Sequence, residues 1–351
     1  MDMTATVNSE CSTEGYSSVP ATTTWRYALF AVHLALSVLI LFGNALTVLA
    51  IWRTPELRTQ PNIYVLNLAV ADGIVGVNVS LIALTFVDVT GRAFDSSRYL
   101  CVALYVLIHV GCSQSLLLLV AMAVDRLVYV VYPYLYVRCF TERRTKIVIA
   151  VSWLFAVSSG TLPSLLNVFT PEKGCAPGKV INRTFEGLVQ PLEILAVLAI
   201  TSACYIKIAC VAQKQRRAVT AQIQMSREVR LPQRDTDTQE QDSPSSPRSV
   251  HETTNRDGST AGQTGGARQV KSLGVFVTVN CLFAVCWMPF VVHNLLLDGV
   301  PIPDTVSSVV SFLAMSNSAM NTVILARMNR HFARAYRKLL TQGRCCSGRG
   351  N

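Results

Sequence analysis

Seven stretches of this chain, 27–52, 62–87, 100–132, 145–166, 188–211, 270–297 and 305–326, are each apolar over a length that a folded soluble protein rarely tolerates. A helix crossing a bilayer needs about 20 mostly apolar residues. Lipid offers no partner for backbone N–H and C=O groups, so a spanning segment must be helical or part of a closed barrel. Runs of this length fit helices. The expectation is an all-α membrane protein, a seven-transmembrane helix bundle. Only 15% of the residues are charged, against about a quarter in soluble domains. The seventh stretch carries Ser307, Ser308, Ser311, Ser316, Asn317, Ser318 and Asn321, and so must face other helices or trapped water.

Lys and Arg orient the bundle. The segments 53–61, 133–146, 212–271 and the tail after 326 carry 23 of them, and the opposite segments carry 6. Basic loops stay in the cytosol, which puts residues 1–26 outside and 327–351 inside. This topology, with anionic lipid at the inner face, accounts for the net charge of +10 without nucleic acid. Residues 1–24 lack the basic segment of a cleavable signal peptide, so the first span is expected to direct insertion. Asn182-Arg183-Thr184 is a glycosylation sequon in an outer loop, whereas the sequon at Asn78 lies within a span.

Several polar groups interrupt the apolar runs. Asp72 falls within the second span, where an ionised carboxylate needs solvation or a partner; it marks a polar pocket, or is a protonated acid satisfied by a neighbouring helix. Asp125-Arg126 follows nine apolar residues of the third span, and by itself such a pair could simply mark the membrane boundary. Cys101 opens the third span at the outer face and Cys175 lies in the second outer loop, an oxidising side on which one disulfide is expected, with Cys11 left over. No catalytic constellation emerges: His33, His109, His251, His293 and His331 lie at different depths and on different sides.

Gly43-Asn44, Leu68-Ala69-Val70-Ala71-Asp72, Cys101, Asp125-Arg126, Trp153, Cys286-Trp287-Met288-Pro289 and Asn317-Ser318, in this order on successive spans, resemble the signature set of rhodopsin-like (class A) G-protein-coupled receptors. The resemblance covers about 27–340. It implies a receptor that binds an extracellular ligand and activates a heterotrimeric G protein, with a receptor kinase and arrestin as further partners. By the same resemblance, Asp72, Ser115, Asn317 and Asn321 occupy positions where similar receptors bind a sodium ion. Arg126 matches the arginine held by Asp125 at rest and released toward Tyr205 and the G protein. Tyr134 matches a loop side chain that docks on the G protein, and Trp287, before the helix-kinking Pro289, matches the aromatic switch under the ligand.

Departures from the pattern are equally specific. Similar receptors end the seventh span in Asn-Pro-x-x-Tyr; here it reads Asn321-Thr322-Val323-Ile324-Leu325, without proline or phenol. Val197 stands where a proline is usual, and Gln269 where some relatives place an acid that restrains Arg126, which predicts a weaker resting lock and raised basal activity. The pocket expected from the resemblance is lined by Ile108, His109, Cys112, Gln190, Glu193, Trp287, Phe290, Asn294, Ser311 and Met315. Ile108 replaces the aspartate that anchors biogenic amines, and Met315 the lysine that holds retinal. A peptide or a small molecule of another kind is therefore expected. Glu193 either anchors a basic group of that ligand or pairs with His109 as a structural bond.

The segment 213–271 is rich in Ser, Pro and Gly and reads as disordered, with basic ends extending the flanking helices. After the seventh span, Arg330, Arg334, Arg337 and Lys338 alternate with Phe332, Ala335, Tyr336, Leu339 and Leu340, the spacing of a short amphipathic eighth helix lying on membrane lipid. Cys345-Cys346 beyond it resembles a palmitoylation site, plain free thiols being the alternative. Two other functions stay open at this stage: a protein of this kind that binds ligand without coupling, and a transporter, although no repeat halves or interrupted helices are visible.

Overall fold

A computed structural model describes residues 21–165, 174, 175, 180, 184–230, 278, 280–295 and 304–345. Asn182, Gln269, Cys346 and the segment 231–277 lie outside these residues. The chain folds into α1 (Ala21–Arg53), α2 (Gln60–Thr85), α3 (Asp88–Ser96), α4 (Arg98–Val131), α5 (Pro133–Cys139), α6 (Glu142–Leu165), α7 (Gln190–Arg230), α8 (Asn280–Leu295), α9 (Asp304–Met328) and α10 (Arg330–Cys345). Six of them, α1, α2, α4, α6, α7 and α9, are long and apolar enough to cross a membrane, and α8 is a shorter apolar helix.

Local chemistry sets the boundaries. Ser97 caps α4 by accepting the Leu100 N–H, and Pro133 opens α5 where its missing N–H costs nothing. Between them Tyr132, at φ −130° and ψ 63°, breaks the helix and turns the chain. Gly174 adopts φ +67°, which a residue with a Cβ adopts only under strain, beside Cys175. A π turn, Phe185–Val189, leads into α7. This helix runs on through Lys214 and Arg217 to Arg230, because 212–230 has no proline or glycine to stop it. The first part of the segment expected to be disordered, 213–230, is therefore helical.

The bundle is apolar on its outer surface as well as in its core, with a few polar groups buried among the apolar ones, unlike a soluble protein. Val38, Leu39, Phe42, Val151, Leu154, Phe155, Ile206 and Val285 are 54–69% exposed. Asp72, Asn78 and Gln114 are fully buried. A surface of this kind is stable only against lipid. Ile40, Val75, Val79, Leu118 and Ile194 form the apolar core with Phe283 and Trp287. Around it α2 packs between α1 and α4, α4 reaches α6 and α7, and α9 closes against α1 and α2. At the inner end, α10 buries Phe332, Ala335 and Tyr336 against Ala50, Ile51 and Leu57.

Candidate functional site

Four levels follow one another from the outer end of the bundle to the inner end. The outermost is tied together by a disulfide between Cys101 and Cys175, whose Cα atoms are 5.6 Å apart. The Cys175 N–H also donates to Asp95 of α3 at 2.8 Å, so two contacts hold this part of the second outer loop against the bundle.

Below it, α4, α7 and α8 bring together most of the residues expected to line a pocket. His109 and Cys112 are buried, as is Trp287, while Ile108, Gln190, Phe290, Ser311 and Met315 are half-buried. Phe290 meets Trp287 edge to face at 5.8 Å. Asn294 donates one amide N–H to the Phe290 carbonyl at 2.9 Å, which leaves its second N–H and its carbonyl oxygen for a ligand. The structure does not form the His109–Glu193 bond. His109 uses Nδ1 on the Tyr105 carbonyl at 2.7 Å, and Glu193 accepts through Oε2 from Ser113 Oγ at 3.4 Å. The remaining atoms, His109 Nε2, Glu193 Oε1 and Trp287 Nε1, are buried without a hydrogen-bond partner among the described residues. Buried polar atoms are nearly always satisfied. These three atoms, one each on α4, α7 and α8, are the polar groups the bundle presents at this level.

The third level centres on Asp72 of α2, which is completely buried. Its Oδ1 accepts from Ser115 Oγ of α4 at 3.1 Å and its Oδ2 from Asn321 Nδ2 of α9 at 2.7 Å. Ser318, which sequence reasoning placed only within a motif, also stands within hydrogen-bonding reach of this carboxylate. Asn317, expected with them, is buried in the same turn of α9. One acid therefore ties three helices together. Its neighbours supply carboxylate, hydroxyl and amide oxygens, the donor set that a hard cation takes, so the residues present fit a sodium ion.

The inner layer holds Asp125 and Arg126. The Asp125 side chain is 1% exposed and lies 3.5 Å from Arg126 Nε, while the arginine is 27% exposed. The second oxygen of Asp125 accepts from the hydroxyl of Tyr136 on α5 at 3.2 Å. Tyr136 escaped the sequence analysis, and no feature of the sequence distinguishes it from its aromatic neighbours. Its ring stacks on Phe140 at 4.9 Å and meets Tyr129 edge-on at 5.1 Å. Burial and the nearby Asp125 push its phenol up to about 12. Tyr134, by contrast, is 93% exposed. Tyr205 is buried on α7 and packs with Ala123, Val124 and Leu127 of α4, the surface that carries Arg126.

The altered end of the seventh span has a counterpart in the packing. Thr322, in place of the usual proline, lies inside an unbroken α9, with its Oγ1 3.4 Å from Thr47 Oγ1. Thr47 in turn lies 2.8 Å from the Tyr336 hydroxyl of α10. Leu325, at the position of the missing phenol, packs into the same inner cluster.

Comparison with known proteins agrees with this arrangement. The family described as 7 transmembrane receptor (rhodopsin family) matches residues 43–325. The chain is 26% identical over 331 residues to adenosine receptor A2a of Homo sapiens, covering 88% of this chain and 71% of that protein. It is 26% identical over 345 residues to adenosine receptor A2b of Rattus norvegicus, covering 90% of each. Melatonin receptor type 1B-B of Danio rerio is 23% identical over 338 residues, covering 93% of this chain and 85% of that protein.

Proposed function

The chain belongs to the rhodopsin family of seven-transmembrane receptors, and from that premise we propose that a ligand entering between α4, α7 and α8 controls nucleotide exchange on a heterotrimeric G protein. Membership makes it a multi-pass membrane receptor rather than an enzyme. The relatives bear the names of adenosine, melatonin and dopamine, three chemically different small molecules. A small molecule is accordingly the favoured occupant, a peptide being the other arm of the test. It would carry a donor or basic nitrogen for Glu193 Oε1 and an acceptor for Trp287 Nε1. The observation that carries this reading is the set of three unpartnered buried atoms above Asp72.

A ligand shifts a conformational equilibrium only through its differential affinity for the two states. Contact at Trp287 and Glu193 would bias α7 and α8 relative to α4. The link from Asp72 to Ser115 and Asn321 makes α2, α4 and α9 respond together. A sodium ion held by Asp72, Ser115, Asn317 and Asn321 would supply a positive charge that favours the resting arrangement. At the inner face, Arg126 would leave Asp125 for the space beside Tyr205, with Tyr134 and Pro289 serving docking and hinge. In this topology residues 1–26 face outward at the plasma membrane, Asn182 is glycosylated, and Cys345 and Cys346 carry palmitate beside an α10 lying on inner-leaflet lipid. The serines of 213–271 would be substrates for a receptor kinase and so recruit arrestin.

The experiment is nucleotide exchange on purified heterotrimers in membranes holding the full chain, with small-molecule and peptide pools. Agonist-dependent exchange that vanishes in Arg126→Ala at unchanged expression is the expected result. Ligand binding without exchange on any G-protein class would leave a binding protein that does not couple. For an identified agonist, Glu193→Gln should lower potency at least tenfold; unchanged potency removes Glu193 as the anchor.

A further inference from the structure

At the inner end of α8, an amide meets two hydroxyls across the interface with α7. Between Gln190 and Lys214, Thr201 and Ser202 carry the only aliphatic hydroxyls of α7, and the only amide side chains of α8 are Asn280 and Asn294. Asn280 reaches both hydroxyls. Its Oδ1 lies 2.7 Å from Thr201 Oγ1, and its Nδ2 donates to Ser202 Oγ at 2.9 Å. Turned over, the amide would accept from Ser202 and donate to Thr201, whose own proton then goes to the Val197 carbonyl at 2.7 Å. In either orientation two hydrogen bonds join the helices. Asn294 is different, since its amide donates to Phe290 within α8.

This clasp lies between two regions of the site. One turn inward from Thr201 on α7, Tyr205 packs with Ala123, Val124 and Leu127, the α4 surface that carries Arg126. Two turns outward from Asn280 on α8 stands Trp287, and between them Phe283 lies 6.1 Å from its ring. Outward of the clasp the two helices meet through apolar residues, Ile194 and Val197 packing in one cluster with Phe283, Trp287 and Val291. Apolar faces slide on one another at little cost. A buried Asn instead fixes the register, because every other alignment strands its amide. A slide of one turn, about 5.4 Å, would carry Asn280 to Val197 and Leu198 or to Tyr205 and Ile206, away from both hydroxyls.

We propose that Asn280 is a positioning residue for nucleotide exchange: by pinning α8 to α7 in one register it makes the two helices shift as one body, so that a displacement at Trp287 arrives at Tyr205. The inference rests on the roles given above to Trp287, Tyr205 and Arg126, and supplies the contact that links the first two. An interhelical hydrogen bond within a membrane changes an equilibrium about threefold. The two bonds of Asn280 together favour a joint shift over separate ones about tenfold. Val in place of Asn280 would leave an apolar seam along which either helix moves alone.

The test is fluorine NMR of the purified full chain in nanodiscs across a temperature series. Trifluoromethyl labels are placed on the exposed Cys210 of α7 and Cys281 of α8, with Ser replacing Cys11, Cys139, Cys345 and Cys346. Neither agonist nor G protein is present, so failure here and failure to signal are separate results. In the wild type, the fraction of shifted resonance should agree between the two labels at every temperature. Asn280→Val should make the two fractions differ by about threefold or more. Thr201→Val with Ser202→Ala removes the partners instead and should separate them equally; this pair decides the matter if Asn280→Val does not fold. Thr201→Ser with Ser202→Thr keeps both hydroxyls and should keep the fractions together. An amide that only stabilises the fold would lower Tm in the apolar variants and leave the fractions equal, and that result overturns the proposal. Fractions that already differ in the wild type, or one resonance at each label in the wild type and both apolar variants, overturn it too. Separated fractions with wild-type exchange on a purified heterotrimer would likewise remove Asn280 from the path to Tyr205.

Discussion

Replacing Tyr136 by Phe removes one hydroxyl and keeps the ring, so its contacts with Tyr129 and Phe140 survive. What is lost is the 3.2 Å bond to Asp125 Oδ1. Hydrogen bonds to charged groups contribute about 1.5–3 kcal/mol. Tyr136 is half-buried, so water reaches the place its hydroxyl leaves and restores part of the lost bond. The low end of the range, about 1.5 kcal/mol, is therefore the expected cost. Deprived of one partner, Asp125 leans more heavily on Arg126, and α5 loses its tie to α4. Both effects oppose release of the arginine, so exchange should fall by about tenfold. The bond should be indifferent to pH between 6 and 9. A phenol pushed up to about 12 contributes stability that is complete below the unfolded value near 10. That contribution is lost only as the pH climbs from there through the folded value. Basal and agonist-driven exchange on a purified heterotrimer, measured at pH 6, 7.5 and 9, reads all of this. Exchange in Tyr136→Phe equal to or above the wild type would refute the role given to the bond, and a tenfold effect confined to one end of the pH range would refute its protonation.

Three other perturbations probe separate layers. The Thr47–Tyr336 hydroxyl pair should show a coupling of about 1 kcal/mol in a cycle of Thr47→Val and Tyr336→Phe. It would be read by thermal unfolding with a thiol-reactive dye that reports exposure of Cys112, Cys204 and Cys286, and strictly additive shifts would disconnect α10 from α1. Gly111→Ala would bring a Cβ to 2.9 Å from Val75 Cγ2 and 3.3 Å from the Ala71 carbonyl, forcing α4 from α2 just above Asp72. Overpacking of this kind costs about 1–3 kcal/mol, on the order of 2–6 °C in Tm, and an unchanged Tm would show that the interface gives way freely. Sodium at about three times its dissociation constant should stabilise the wild type by about 0.8 kcal/mol relative to choline. Asp72→Asn should abolish that difference; a sodium effect that survives places the ion elsewhere.

How much of this was written in the sequence depends on the kind of contact. Asp72 announces itself because a carboxylate in an apolar run must have partners, whereas Ser115 and Asn321 were reached only through the family resemblance. Cys101 and Cys175 were legible from their side of the membrane. Tyr136 was not: Pro133 foretells the break at Tyr132, but not the direction in which α5 then turns, and that direction brings Tyr136 to Asp125. The relation of Glu193 to His109 was open for a related reason. The π turn before α7 departs from 3.6 residues per turn, so counting along the chain does not give the direction in which Glu193 points. Thr47 and Tyr336 meet across 289 residues, and Thr322 reads as a loss until the packing shows what surrounds it.

The most direct test of the account is basal nucleotide exchange by the purified full chain in nanodiscs, one G-protein class at a time, beside Arg126→Ala with an unchanged Tm. The account predicts exchange above that of empty nanodiscs for at least one class, with the excess removed by the substitution. Exchange equal to empty nanodiscs for every class, still unchanged when ligand pools that demonstrably bind are added, would contradict it.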